Sequence, residues 1–438
     1  MRESIRRGLG RAVVVVSLVA SPVGADPAAR TLTLKQAVEL SLTDNPDIAV
    51  AKEAVAVSDA RTARARAREF PVLHVEATGN YYREPYSLPF GDQVFVLHEQ
   101  RTSTTAVAIQ QPLTGLAYLS ELVGAQEHSA KVARADYDRV RLDTTYKTAD
   151  AYLRVLETRA AAQVAHKSVE DIASELDRAE KLRKADTYTD VDVLRFKSAK
   201  AAADQAALRA DTAKDSAIAT LVVTIGLHDG EVVDVTDDLP TPAPALAMTL
   251  EQAQQRAITT RPELRAARER IAAAEDTRKS AKLGYFPDIR ANATWLHMTG
   301  VQPFQPENEE FIGLTLSWNV WDWGQIHQQV VEAEHQQTQA QLSAGSLGDS
   351  VKLDVRKRWL DAKAGYDSLA VATTQQQAAE EAYRLQQVRF NAGAATTTDV
   401  LDAQTDAARA RLAVSQARYD YYLALVALAR SVGDFPST

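Results

Sequence analysis

The chain has 438 residues, 58 Asp and Glu against 50 Lys and Arg, and no cysteine. A net charge of −8 argues against a nucleic-acid partner, and without cysteine there are no disulfides, thiolate metal sites or N-terminal lipid-carrying thiols. Past the first 25 residues no run approaches the roughly 18 apolar residues of a membrane-spanning helix, so any membrane crossing requires a β-barrel.

The chain opens with an export signal. Arg2, Arg6, Arg7 and Arg11 form a basic head, Ala12–Ala20 is an apolar run of nine residues, and Val23-Gly24-Ala25 supplies small residues for cleavage. Residues 1–25 are thus expected to be a signal peptide, too short to span a bilayer. Cleavage removes four arginines and one glutamate and takes the formal charge from −8 to −11. An exported chain without cysteine fits the periplasm or outer membrane of a Gram-negative cell.

A leading helix rich in Ala, Arg, Glu and Lys is predicted over Leu34–Glu69, ended by Phe70-Pro71. Two alternating segments, 72–82 and 103–113, read as strands around a loop, Pro85–Gly91. A long helix runs from Gly115 to about Lys184. The break Ala185–Thr189 follows, and a return helix covers Asp190–Ile225. Residues 239–247 form a stiff proline-rich linker. The order then recurs: a helix over Leu250–Tyr285, strands at 288–299 and 310–321, a long helix from Gly324 to Phe390, a break at Asn391–Ala395, and a return helix over Thr397–Val432. Gly345, Gly348 and Gly365 mark a place where the second long helix could bend.

The recurrence is also one of residues. Thr33-Leu34-Lys35-Gln36-Ala37 returns as Thr249-Leu250-Glu251-Gln252-Ala253, and Phe70-Pro71 as Phe286-Pro287, both at an offset of 216. Asp192-Val193-Leu194 returns as Asp399-Val400-Leu401, and Gly226 as Gly433, at an offset of 207. The chain is thus expected to be a duplicated domain, 26–238 and 248–438.

Lengths set the arrangement. At ~1.5 Å per residue the long helices reach ~100 Å, about the summed length of a leading and a return helix stacked end to end. In the return helix Leu401, Ala408, Ser415, Tyr422 and Ala429 form one seven-residue row, and Leu412, Tyr419 and Val426 another. The fold class is therefore mainly α with a small β part: long antiparallel coiled-coil helices and four strands of bilayer-crossing length.

Four of the five tryptophans, Trp295, Trp318, Trp321 and Trp323, lie in or beside the strands together with Tyr81 and Tyr82. Such aromatics form girdles at membrane interfaces, or pack a small soluble sheet. Four strands cannot close a barrel, and an open edge in lipid leaves backbone groups unpaired, so a membrane reading requires oligomerisation. Two copies would close a barrel of eight strands and three copies one of twelve.

These features resemble the TolC family of outer-membrane efflux proteins. The resemblance rests on Leu32-Thr33-Leu34 with Ala37 and Asn45-Pro46, on Phe70-Pro71, on Trp321-Asp322-Trp323-Gly324, and on Phe390-Asn391-Ala392-Gly393 followed by Asp399-Val400-Leu401-Asp402-Ala403-Gln404. It covers essentially the whole mature chain. It implies a homotrimer with a twelve-stranded transmembrane β-barrel and a periplasmic α-barrel whose tips dock a periplasmic adaptor protein and an inner-membrane transporter. The function implied is the exit duct of a tripartite efflux or type I secretion system.

The resemblance also implies an acidic, constricted periplasmic entrance, here Asp399 and Asp402, with Asp192 a gate-bonding group and Phe390 and Gly393 at the turn. Asp399 and Asp402 also read as helix-start residues favoured by the macrodipole. Members of the family latch the tip with an arginine two residues after the glycine and a tyrosine three before it. Ala395 and Phe390 stand there, so that latch is not expected.

No catalytic set, cofactor or metal site is expected. His327 and His335 lie too far apart for ligand spacing, and there is no phosphate loop, HExxH or nucleophile elbow. The competing reading is an exported structural or adhesive coiled-coil protein without a pore.

Overall fold

The computed structural model describes residues 30–184, 189–228, 231–237, 239–301 and 305–434. The expected signal peptide and residues 185–188 of the first break lie outside them. The first half contains β1 (Arg30–Leu32), α1 (Leu34–Asp44), α2 (Pro46–Ala67), β2 (Val72–Tyr81), β3 (Tyr86–Phe90), β4 (Gln93–His98), β5 (Arg101–Pro112), α3 (Gly115–Lys184), α4 (Asp190–Thr224) and β6 (Val233–Val235). The second contains α5 (Leu250–Thr260), α6 (Pro262–Leu283), β7 (Asp288–Thr299), β8 (Asn308–Ser317), α7 (Gln325–Asn391) and α8 (Thr397–Val432).

Four helices start on a threonine capping box: Thr33 with Gln36, Thr189 with Asp192, Thr249 with Gln252, and Thr396 with Asp399. Each box satisfies two backbone donors that the first helical turn leaves without partners. Each expected 36-residue leading helix is in fact two helices, broken at Asn45 and at Arg261, both in extended backbone. Proline disfavours the helical conformation of the residue before it yet starts a helix readily, so Pro46 and Pro262 end one helix and begin the next.

Those breaks receive the ends of the return helices. Gly226, at φ +85°, packs so closely on the first break that a Cβ there would lie 2.8 Å from the Asp44 carbonyl, and the Asn45 side chain donates to the Thr224 carbonyl at 3.0 Å. Gly433, at φ +84°, sits against Arg261, and the Thr260 hydroxyl donates to the Val432 carbonyl at 2.5 Å. In the first half, α4 and α2 thus run on as one rod beside α3, the 70-residue helix.

The 67-residue α7 continues unbroken through Gly345, Gly348 and Gly365. At Gly365 a Cβ would lie 3.3 Å from the Tyr421 Cα, so this glycine admits α8 rather than bending α7. The most buried seven-residue row of α8 is Val400, Ala407, Tyr421 and Leu428, one residue before the expected seam. The shift has a cause: α8 touches both α7 and α3. Leu428 faces the α7 side, Tyr419, Tyr422 and Val426 join the core on the α3 side, Val400 and Ala407 join a cluster shared by α3, α4 and α7, and most of the expected row falls between.

The proline-rich segment is strapped down rather than free. Tyr422 donates its hydroxyl to the Pro240 carbonyl at 2.6 Å, Tyr421 to that of Pro244 at 2.5 Å, and the Trp359 indole to that of Met248 at 3.1 Å. Beside it β1 and β6 pair in parallel, Leu32 opposite Val235, and the buried Tyr152 hydroxyl donates to the carbonyls of Leu32 and Thr236.

The four main strands form one antiparallel sheet in the order β2-β5-β7-β8, which leaves β2 and β8 as edges. The stretch expected as loop contains a further hairpin, β3–β4. Gly91, at φ +63°, turns it, and Gly91-Asp92 between two apolar runs is the hairpin signal that the loop reading passed over.

Candidate functional site: the open sheet and the helical tip

Strand register sorts the sheet into two faces, because directly opposed residues share a side. Leu73 lies opposite Ile109, Ile109 opposite Ala293, and Ala293 opposite Ile312; Val75, Val107 and Trp295 are aligned in the same way. With Leu314 and Leu316 they make one apolar face. It is open to the surroundings: Val75 is 62% exposed, Ile312 89% and Leu314 72%. The other face carries His74, Glu76, Thr104, Gln110, Arg290, Asn292 and Thr315, all of the opposite parity.

Aromatics bracket the apolar face. At the helical end Trp318 donates to the Tyr285 carbonyl at 3.2 Å, and Trp321 and Trp323 meet edge to face at 5.7 Å. At the far end Tyr81 closes β2, and Tyr82 lies against His98 at 4.2 Å. Trp295 sits on the apolar face itself, opposite Val107 and Glu310. The ten residues of β2 span ~30 Å at ~3.3 Å each, and ~23 Å once tilted by about 40°, close to the height of a membrane barrel's apolar band.

At the opposite end of the long helices, α7 stops on a Schellman turn. Gly393 takes φ +70° and donates to the Phe390 carbonyl at 3.0 Å, while the Ala394 amide reaches that of Arg389 at 2.8 Å. The Phe390 ring points inward. It is 6% exposed and meets Phe196 edge to face at 6.5 Å, within a cluster that includes Val193, Tyr383 and Val400. Burial, with the nearby Glu175 charge adding to it, pushes the Tyr383 hydroxyl up to about 12.

Asp399 accepts from the Thr396 amide at 2.7 Å and hydroxyl at 2.8 Å through one oxygen, Oδ2. These bonds from Thr396, backbone first, hold its carboxyl below the usual range. Asp192 uses both oxygens: Oδ2 accepts from the Thr189 hydroxyl at 2.7 Å, and Oδ1 from the Thr397 hydroxyl at 2.8 Å. The Thr189 and Thr397 bonds hold it low as well. Asp402 lies exposed three residues beyond Asp399.

The structure thus sets Asp192 and Asp399 each within a helix start, and ties the start of α4 to that of α8. Arg195 of α4 donates across the same seam to the Thr398 hydroxyl at 3.2 Å, and beside it Arg178 of α3 donates to the Asn391 side chain at the end of α7 at 2.6 Å. Further along, Arg411 of α8 bridges Glu380 at 2.8 Å and Asp171 at 3.2 Å. Sequence reasoning missed these arginines, since nothing in their local pattern announces Thr398, Asn391 and Asp171, each more than 200 residues away, or Glu380 on the neighbouring helix. Among the described residues no group of three or more histidines, aspartates and glutamates can hold a metal ion, and no helix is long and apolar enough to cross a membrane.

A sheet with an exposed apolar face on top of ~100 Å helices defines a class, and the sequence agrees with it: the outer membrane efflux protein model matches residues 37–227 and 253–434, and the chain belongs to that family. It is 24% identical over 440 residues to the outer membrane efflux protein BepC of Brucella suis, a match covering 99% of this chain and 92% of that one. Among solved structures it resembles CusC (TM-score 0.81, 14% identity, 92% of each chain) and the outer membrane protein VceC of Vibrio cholerae (TM-score 0.76, 17% identity, 92% and 96%). The protein is an outer-membrane efflux channel component, and its family is one of channels and not of enzymes.

Proposed function

We propose that three copies of the chain form a continuous duct, with a twelve-stranded β-barrel in the outer membrane and an α-barrel reaching into the periplasm. Each copy contributes a duplicated unit, 26–238 and 248–438, joined by the 239–247 strap. The duct is the passive exit of a tripartite efflux or type I secretion system, and its tips meet a periplasmic adaptor and an inner-membrane transporter that supplies the energy.

One observation carries the reading: both margins of the chain are unfinished, and on matching sides. The sheet ends in open β2 and β8. The helical layer ends in the α2–α4 rod on the first side and in α7 on the second, with exposed Val50, Leu194 and Leu208 on one margin and Leu353, Leu360 and Val371 on the other. Joining β8 and α7 of one copy to β2 and the α2–α4 rod of the next satisfies both margins at once, in a head-to-tail ring. Three copies is the number the family resemblance implies.

In this duct Asp399 and Asp402 supply six carboxylates around the entrance, and Asp192 ties it shut through Thr397. Phe390 and Gly393 shape the tip from within. The test is single-channel recording in planar bilayers. A small cation-selective conductance blocked from one side by multivalent cations, with block relieved in Asp399→Asn/Asp402→Asn, is expected. Unchanged block would remove the entrance assignment and leave the duct. A folded, detergent-independent protein without conductance would instead identify an exported coiled-coil scaffold.

A further inference from the structure

Where the sheet meets the helices, the chain forms an open-sided cavity of about 950 Å³. Its strand lining is Val72, Gln110, Pro112, Asp288, Arg290 and Ser317, all from the polar face, with no residue of the apolar face among them. In the duct proposed above, on which this inference rests, the cavity therefore opens to the lumen and away from lipid. It draws on all four strands and on the junction helices of one chain.

The cavity's chemistry has two parts. Its charged lining is Arg68, Arg290 and Asp288. Asp288 is already engaged, with Oδ2 2.7 Å from Arg290, and the carboxylate is the less exposed partner, 33% against 58%. Arg68 has no ion-pair partner among the described residues and is exposed. The balance is one positive charge in a chain that is acidic overall. The remaining wall is apolar, built from Leu113, Tyr118, Leu283 and Phe286.

Phe286 is 66% exposed and belongs to the Phe-Pro corner whose helix-ending role does not require an aromatic ring in open space. Its corner is rigid: the Thr114 hydroxyl donates to the Pro287 carbonyl at 2.8 Å and accepts from the Ile289 amide at 2.8 Å. The volume lies within the ~300–1,000 Å³ of small-molecule sites, which pair apolar walls with a few fixed polar groups.

We propose that this junction cavity is a binding site for amphipathic organic anions, compounds with a sulfonate or carboxylate on a rigid apolar body. Arg68 and the outward side of Arg290 take the anion as charge-assisted donors, and Phe286, Tyr118 and Leu283 take the apolar body. One site per chain makes a ring of three around the lumen, a stopping place between the helical conduit and the barrel.

The probe is taurocholate. Equilibrium dialysis against the purified oligomer in non-ionic detergent reads binding whether or not the oligomer conducts. Binding is expected to weaken about a hundredfold in Arg68→Ala/Arg290→Ala, the worth of two charge-assisted hydrogen bonds, to recover in Arg68→Lys/Arg290→Lys, and to weaken in Phe286→Ala. In planar bilayers the same compound should produce brief current blocks that shorten in the double alanine variant, while the unblocked conductance stays as it was. Equal binding by the wild type and the double alanine variant would overturn the site even if the channel conducts. Arginine-dependent binding by an oligomer without conductance would keep the site and remove the duct.

Discussion

Asp192 and Asp399 occupy the same position in two capping boxes, yet only Asp192 also reaches across to another helix start, at Thr397. Its tie depends on ionisation. The folded carboxyl lies below its ordinary 3.8, so the stabilisation is fully present above that value and is lost as pH falls through the lower folded one. Single-channel open probability should therefore rise only below about pH 4 in the wild type, and be raised already at neutral pH in Asp192→Asn. An Asp192→Asn channel that stays as closed as the wild type at neutral pH would show that the tie does not hold the tip. Thr396→Ala removes the hydroxyl bond that Asp399 accepts and the one that the Asp399 amide donates to that hydroxyl, and leaves the bond from the backbone amide of residue 396, at a cost of about 1 kcal/mol; hydrogen exchange in the first turn of α8 measures it.

At the scale of elements, the joints matter more than the rods. Gly226 has a positive φ and no room for a Cβ against Asp44, so Gly226→Ala suffers both strain and collision. A loss of ~2 kcal/mol or more is expected, against a gain of up to about 1 kcal/mol for Gly345→Ala, where nothing lies within 4 Å and helix propensity improves. Thermal unfolding of the detergent-solubilised protein separates the two, and equal melting temperatures would contradict the joint. The strap behaves similarly: Tyr421 and Tyr422 hold it by carbonyls alone, so Tyr421→Phe/Tyr422→Phe should loosen residues 240–244 to proteolysis without unfolding α8.

For the whole molecule, the two faces of one sheet predict opposite outcomes for the same substitution. Ile312→Lys puts a charge on the apolar face and should cost about 2–4 kcal/mol in the bilayer, and Thr315→Lys on the polar face should be tolerated. The amount of assembled protein recovered from outer membranes reads the difference, and equal recovery would reverse the assignment of faces. The chain has no cysteine, so a Val75→Cys variant combined in turn with cysteine at 310, 312 or 314 tests ring closure without background. Oxidation should give a cross-linked ladder that stops at three chains. A ladder that stops at two would replace the trimer by a dimer.

Much of this molecule was written in local pattern. The long helices, the return helix from Thr397 to Val432 and the four main strands follow from periodicity, Gly and Pro punctuation and capping residues, all of which act within a few residues of chain. The apolar parity of β8 was equally legible, because a strand's faces alternate whatever its neighbours are. Tertiary structure alone decided the rest. Asn45-Pro46 breaks the helix through the local effect of proline, but that the break receives Gly226 from 181 residues away is decided only by packing. The buried row of α8 moved by one residue because two different helices claim two of its sides. Asp192 became a tie only when Thr397 arrived opposite it, and the junction cavity exists only because Arg68, Phe286 and Arg290 come from three separate elements. Periodicity records which residues leave water; which neighbour receives them is a property of long-range packing, and that is where the joints of this chain and the proposed gate and anion site are made.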